Sequence, residues 1–109
     1  MTTSQIAALI ASMGLPSAYD HFPEKDAPDL PFICFRYDQQ NNFNADNTTH
    51  QKIASLSVEL YTANKDIASE TAVENVLVAN DMPYVKTETY IDSEKMYLNL
   101  YEMEVILNG

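Results

Sequence analysis

The stretch HQKIASLSVELYT, residues 50–62, decides the fold. Small or apolar residues suited to a core alternate in it with residues suited to a more polar surface: Ala54, Leu56, Val58 and Leu60 against Ser55, Ser57, Glu59 and Tyr61. A period of two is typical of a strand in a sheet that has one buried face. We therefore predict a long strand here, with its apolar side towards the core.

The residues before this strand predict a helix, a crossing segment, a strand and a loop. Apolar positions in residues 3–13 recur at helical spacing, with Thr3 or Ser4 as the cap and Gly14 as the stop. Residues 15–31 contain four prolines, which favour an extended crossing segment. Residues 32–37 are mostly bulky and apolar and predict a strand, whereas DQQNNFNADNTT, residues 38–49, predicts a long polar connection.

The residues after the strand predict a second helix and a hairpin. Asn64 or Asp66 can cap a helix that runs to about residue 80. Its buried face is expected to hold five residues: Ile67, Val73, Val76, Leu77 and Asn80. Residues 84–90 and 96–107 form the hairpin around a turn at 92–95. The apolar phase of the last strand slips near Tyr101 and Glu102, which predicts a bulge or a strong bend.

These elements define the expected architecture. The order is helix, strand, long loop, strand, helix and hairpin, within one domain that spans residues 1–109. We predict an α+β fold, with an antiparallel sheet of about four strands and two helices packed on one face.

The charge balance excludes some classes of function. Sixteen acidic residues stand against six dispersed basic ones, a formal net charge of −10. Binding to nucleic acid depends on clustered Lys and Arg, so specific DNA or RNA binding is not expected. No apolar run approaches the roughly 18–20 residues of a membrane span, so no membrane association is expected. The single cysteine, Cys34, lies among apolar residues and predicts a buried, inert thiol.

The residues that usually carry chemistry are scarce or isolated. Gly14 and Gly109 are the only glycines, which leaves no phosphate-binding loop. His21 and His50 belong to no metal-binding motif. Glu102 and Glu104 share a strand face, but alternating glutamates fit a solvated surface better than an acid–base pair. We therefore expect no catalytic residue, cofactor or metal site, and no enzymatic activity.

Two regions are candidates for an oligomer or partner interface. The polar loop carries one large apolar residue, Phe43, between Asn42 and Asp46, and Phe43 either folds back onto the body or anchors a partner. Ile53 and Tyr61 share the outward phase of their strand with Glu59, and they serve either the core or an interface. The hypothetical interface residues are Phe43, Asn42, Asp46, Ile53, Tyr61 and Glu59.

Several motifs resemble the tail-terminator and head–tail joining proteins of long-tailed phages and prophages, which are also called neck or minor capsid proteins. They are LP at 15–16, FPEK at 22–25, LPFICF at 30–35, VELYT at 58–62, KD at 65–66 and IDSEKMY at 91–97. The resemblance implies a homo-oligomeric ring, typically a hexamer, that caps the tail tube and offers a docking surface to the head connector. It also implies a place in the tail or neck of the virion after assembly in the bacterial host cytoplasm. The net charge of −10 leads to the hypothesis that DNA passes through such a ring without specific binding.

Two other interpretations remain open. The first is a head–tail connector or stopper protein, which belongs to the same structural class. The second is a module that binds a small ligand or a peptide on its sheet. A ring requires two different patches on each subunit, and the outward strand face and the long loop could supply them.

Overall fold

The structure is a computed structural model that describes residues 1–42 and 52–108. The elements are α1 (Thr3–Ala11), β1 (Ser17–Tyr19), β2 (Phe32–Asn42), β3 (Lys52–Thr62), α2 (Ile67–Ala79), β4 (Val85–Ile91), a 3-10 turn (Asp92–Glu94) and β5 (Met96–Leu107). The strands form one sheet in the order β1-β2-β3-β5-β4. The α+β prediction is confirmed, but the sheet has five described strands rather than about four.

The additional strand, β1, lies in the proline-rich segment that we expected only to cross the fold. Ser17–Tyr19 pairs in parallel with Ile33–Phe35 of β2, whereas every other strand pair is antiparallel. Tyr19 packs its ring edge-on against Phe35 at a centroid distance of 5.5 Å. Three residues show no measurable periodicity, so this strand depends on partners distant in sequence.

Both helices cover the same face of the sheet. One apolar cluster joins Ile6 and Ile10 of α1, Val73 and Leu77 of α2, and the strand residues below them. We call this side of the sheet the helix face. The cap of α1 is Thr2, not the predicted Thr3 or Ser4, and it forms a capping box with Gln5.

The buried side of α2 differs from the prediction. Asp66 caps the helix, since its side chain accepts a hydrogen bond from the Ser69 amide at 3.0 Å. Val73 and Leu77 are buried as expected, but Ile67 is 66% exposed and Asn80 is also exposed. Glu70 is buried in place of an apolar residue. This exchange occurs because the first turn of α2 faces two lysines from outside the helix, Lys65 and Lys86.

The predicted bulge in the last strand is wrong. β5 keeps an unbroken register with β3 and with β4, so Leu98 and Leu100 face away from the helices. Asn99 therefore takes a position on the helix face, opposite Leu60. The register shift lies instead in β2, between Tyr37 and Gln39.

Asn99 offers a direct test of this register. Its side chain is 0% exposed, and among the described residues neither its amide nitrogen nor its carbonyl oxygen has a hydrogen-bond partner. A buried polar group without a partner is destabilising. We expect Asn99→Val to raise the free energy of unfolding by about 1–2 kcal/mol in urea denaturation. A loss of stability would show instead that the amide makes a compensating bond, for example to an internal water.

Candidate assembly surfaces

The sheet face opposite the helices, here called the open face, contains three of the six predicted interface residues. Its members are Phe32, Cys34, Arg36, Ile53, Ser55, Ser57, Glu59, Tyr61, Val85, Thr87, Thr89, Ile91, Met96, Leu98, Leu100, Glu102, Glu104 and Ile106. Phe43 and Asp46 lie outside the described residues. Asn42 is the last residue of β2, and its backbone pairs with Lys52. The structure thus brings Ile53, Glu59 and Tyr61 onto one surface.

Ile53 lies at one end of the open face. It is half-buried and stands opposite Ile106 of β5, which is 48% exposed. Sequence analysis missed Ile106, although this residue shares the outward phase of Glu102 and Glu104 at the end of β5. Together Ile53 and Ile106 form an apolar pair on a sheet face that neither described helix covers.

Tyr61 lies at the other end of the open face, in a row of aromatic rings. Its ring centroid is 5.4 Å from that of Phe32, and Phe32 lies 5.2 Å from Phe22 of the crossing segment. The Tyr61 hydroxyl donates a hydrogen bond to Glu59 Oε1 at 3.0 Å. Burial, followed by the Glu59 carboxylate, raises the pKa of Tyr61. At this end of the open face, Phe22 of the crossing segment therefore packs against the sheet residue Phe32.

Glu59 belongs to a polar network and is only 8% exposed. The Arg36 guanidinium nitrogen Nη1 lies 3.3 Å from Glu59 Oε2, and Arg36 Nε lies 2.5 Å from Asp38 Oδ1. Ser57 donates a hydrogen bond to the other Asp38 oxygen. That bond first, and Arg36 second, hold the pKa of Asp38 below its usual value. Glu59 therefore connects Tyr61 and Arg36 through a hydrogen bond and an ion pair.

Cys34 lies beside Glu59 in the register of β2 and β3. It is 5% exposed, as the sequence predicted, but it faces the open side of the sheet rather than the helices. Burial, and then the nearby Glu59 and Asp20 carboxylates, raise the pKa of the thiol to about 11. The thiol is therefore protonated at neutral pH, a state that is a poor nucleophile.

A cluster of charges on the helix face connects β4 to α2, and no pattern in the sequence indicates it. The buried Glu70 carboxylate accepts hydrogen bonds from Lys65 Nζ at 2.9 Å and Lys86 Nζ at 2.6 Å. Lys86 Nζ also donates to Glu74 at 2.7 Å, and Glu74 accepts a bond of 2.7 Å from the Tyr101 hydroxyl. One connected network thus joins α2, β4 and β5: Lys65, Glu70, Glu74, Lys86 and Tyr101.

An open pocket of about 370 Å³ lies where β4 begins. Its lining includes Val85, Met103 and the two glutamates Glu102 and Glu104, both of them exposed. The glutamates lie on the open face, as the interpretation of a solvated sheet surface predicted. Glu102 stands opposite Val85 and Ser57 in the two strand registers. The pocket thus combines an apolar wall with two carboxylates at the edge of the sheet.

Residues 1–42 and 52–108 contain no cluster of three or more potential metal ligands. His21 lies there beside Asp20, with Nδ1 2.9 Å from a carboxylate oxygen, while His50 is outside the described residues. No described helix has the length and hydropathy of a membrane span.

The comparisons with known proteins identify the fold but no family. No protein-family model matches the chain, and no curated protein matches it. Among solved structures, a chain from the virion of a native gene transfer agent (GTA) particle is similar at a TM-score of 0.55. That similarity covers 94% of this chain and 86% of the other, at 14% sequence identity. At this identity the likeness establishes a shared fold.

Proposed function

We propose that this chain is a structural protein of a phage-like virion, and that it acts as a non-enzymatic neck component. The main support is the fold shared with a chain of a gene transfer agent virion over nearly the full length of both. Within that class we propose a tail terminator, an oligomeric ring that caps the tail tube and presents the head-attachment surface. Its partners would be further copies of itself, the tail-tube protein and the head connector.

The motifs that carry the family resemblance occupy structural positions in this chain. The VELYT motif ends β3, and the KD motif forms the junction with α2. Asp66 of that junction caps the helix, and Lys65 binds Glu70. The resemblance therefore rests in part on residues that end β3, cap α2 and bond to its first turn, which favours a common fold-based role over a shared chemistry.

The charge of the chain suits a ring through which DNA passes. A wall rich in carboxylates does not hold phosphates, because binding requires Lys or Arg to displace counterions. The formal net charge is −10, and Lys65 and Lys86 are engaged by carboxylates of the same chain. We expect no retardation of double-stranded DNA at physiological salt in a gel-shift assay. Retardation of DNA by the free protein would contradict a non-binding lumen.

Electron microscopy of the protein mixed with tail tubes tests the proposed function. We expect rings at one end of tubes of defined length, whereas tubes assembled without the protein should continue to grow. Rings that instead bind portal complexes and not tubes would support a connector or stopper. A chain that stays monomeric and binds neither partner would contradict the neck assignment.

Substitutions on the open face test which surface assembles. We expect Ile53→Glu or Ile106→Glu to weaken ring formation by about tenfold or more, because a buried charge at an apolar contact costs over 1 kcal/mol. Light scattering over a series of protein concentrations measures ring formation by each variant. Ile67→Glu is the matched control, since Ile67 is 66% exposed and lies on α2 away from the open face. Equal effects from both sites would contradict the assignment to the open face.

The pocket beside Glu102 and Glu104 supports a second candidate, a peptide-binding module. Its two carboxylates and apolar wall suit a segment that combines a basic and an apolar residue. Charge reversal with Glu102→Lys distinguishes the two functions. The module predicts that this variant loses peptide binding, whereas a ring built through Ile53 and Ile106 predicts unchanged assembly.

A further inference from the structure

The edge strand β4 presents an unpaired backbone. Among the described strands, it pairs only with β5, and its other side ends the sheet. Its sequence VKTETYI is rich in β-branched residues, contains no proline and keeps an unbroken register over seven residues. Such an edge is a template for pairing with another chain unless it is protected.

The usual protection by charged side chains is neutralised on β4. Lys86 is directed to Glu70 and Glu74, and Glu88 lies 2.6 Å from Lys65. The residues that alternate with them on the open face are uncharged: Val85, Thr87, Thr89 and Ile91. Val85 is 67% exposed. The edge therefore has a regular register and partly apolar side chains, and its two charged side chains are paired within the same chain.

Backbone directions show which groups of β4 are available. The Ile106 carbonyl and the Asn108 amide bond to Met1, on the side of β5 away from β3. Because backbone groups alternate along a strand, the even-numbered residues of β5 point towards β4. Their partners in β4 are odd-numbered, so the amides and carbonyls of Lys86, Glu88 and Tyr90 point outward.

We propose that β4 pairs with β4 of a second copy of this chain, antiparallel and about a two-fold axis at Thr87. In this register the backbone of Lys86 exchanges hydrogen bonds with that of Glu88 in the other copy, and the two side chains carry opposite charges. A register centred on Glu88 would oppose two carboxylates, which is unfavourable. Two of the six basic residues, Lys65 and Lys86, lie at this edge and offset part of the repulsion between the acidic copies.

The contact joins two sheets into one continuous sheet and leaves no free β4 edge. A two-fold contact closes after two copies and cannot itself propagate a ring. The inference therefore stands apart from the proposed tail-terminator function, whose ring would use other patches.

A cysteine placed on the two-fold axis tests the proposal on the full-length chain. Thr87 would face Thr87 of the other copy as a non-hydrogen-bonded pair, with Cα atoms about 4.5 Å apart, a spacing that a disulfide can bridge. We expect Thr87→Cys to form a covalent dimer under mild oxidation at micromolar concentration, seen on non-reducing gels. Thr87 is exposed, and native Cys34 is buried.

Thr89→Cys is the matched control, because it has the same chemistry on the same exposed face. In the proposed register the two Thr89 residues lie about 13 Å apart. We expect its cross-linking to be about tenfold slower or more, since the thiols cannot meet without separation of the strands. Equal rates, or faster cross-linking at Thr89, would overturn the register.

A proline variant tests the edge without a cross-link. The outward amide of Glu88 makes no bond to β5, so Glu88→Pro removes a donor only from the proposed contact. We expect sedimentation analysis to show loss of the dimer, while Glu88→Gln, which keeps the backbone donor, retains most of it. Circular dichroism checks that both variants fold. A dimer that persists in folded Glu88→Pro, or a wild-type chain that is monomeric at all concentrations, would overturn the proposal.

Discussion

Tyr101→Ala is expected to lower the free energy of unfolding by about 3–5 kcal/mol, the range found for large buried aromatic residues. Tyr101 is 0% exposed, and its ring packs against Tyr84 at a centroid distance of 5.2 Å. Its hydroxyl donates a hydrogen bond of 2.7 Å to Glu74. The substitution therefore opens a cavity and leaves a carboxylate short of a donor. Urea denaturation followed by circular dichroism measures the loss.

Tyr101→Phe separates the two contributions. Phenylalanine keeps the ring in the core and removes only the hydroxyl, so we expect a cost of about 1–2 kcal/mol. The Lys86 ammonium, 5.7 Å from the ring centroid, remains near the aromatic face. A phenylalanine variant as unstable as the alanine variant would mean that the bond to Glu74, rather than packing, holds β5 against α2.

Glu70→Ala is expected to lower the free energy of unfolding by about 2–4 kcal/mol, because it removes two charge-assisted hydrogen bonds to a buried carboxylate. Lys65 keeps Glu88 and Lys86 keeps Glu74 as partners, which limits the loss. Glu70 is 4% exposed and accepts hydrogen bonds from both Lys65 and Lys86. Its loss leaves the two ammonium groups side by side between α2 and β4. Glu94→Ala, in the exposed turn, is the control, and we expect it to change stability by less than about 0.5 kcal/mol.

The same carboxylate makes stability depend on pH. Burial raises the pKa of Glu70, but the bonds from Lys65 and Lys86 outweigh it, so its pKa falls below the ordinary 4.5. A group whose pKa is lower in the folded state stabilises the fold above its unfolded pKa, and this contribution disappears as the pH falls through the folded pKa. We expect wild-type stability to decline below about pH 5, and Glu70→Gln to show a shallower decline in urea midpoints. Parallel curves would assign the acid sensitivity to other carboxylates, such as Asp38 or Asp66.

The sequence predicted the elements whose own residues determine them. Residues 52–62 alternate so regularly that one strand face was certain to be apolar, and Ala54, Leu56, Val58 and Leu60 are indeed all buried. The first helix and the hairpin of β4 and β5 follow from equally local signals. In these segments the local secondary-structure propensity agrees with the observed structure, so tertiary contacts do not have to override it.

The features that the sequence did not predict depend on distant partners. β1 has three residues and exists because β2 offers a free edge. Leu98 and Leu100 are apolar, so the pattern of β5 suggested a change of the buried face. Both residues nevertheless lie on the open face, where Phe22 packs against Phe32. Glu70 replaces Ile67 in the interior only because lysines from outside α2 reach it. The periodicity of residues within one segment does not reveal such contacts with distant residues.

The candidate surfaces were predicted in part. The outward phase of β3 identified Ile53 and Tyr61, which share the open face, but it could not reveal their neighbours Ile106 and Phe32. The interface roles of Phe43 and Asp46 stay predictions, because both lie outside the described residues. Glu59 differs from an ordinary surface carboxylate, since it is buried and bonded to Tyr61 and Arg36.

The strand order has a consequence for how the chain folds. The hairpins β2–β3 and β4–β5 each join strands that are neighbours or near neighbours in sequence, but the central contact joins residues 52–62 to residues 97–107. Contacts between distant segments form slowly, so we expect the docking of the two hairpins to limit the folding rate. Doubling the connection between β2 and β3 costs only about 0.6 kcal/mol in closure entropy. Related chains could therefore vary greatly in the length of that connection while folding at nearly the same speed.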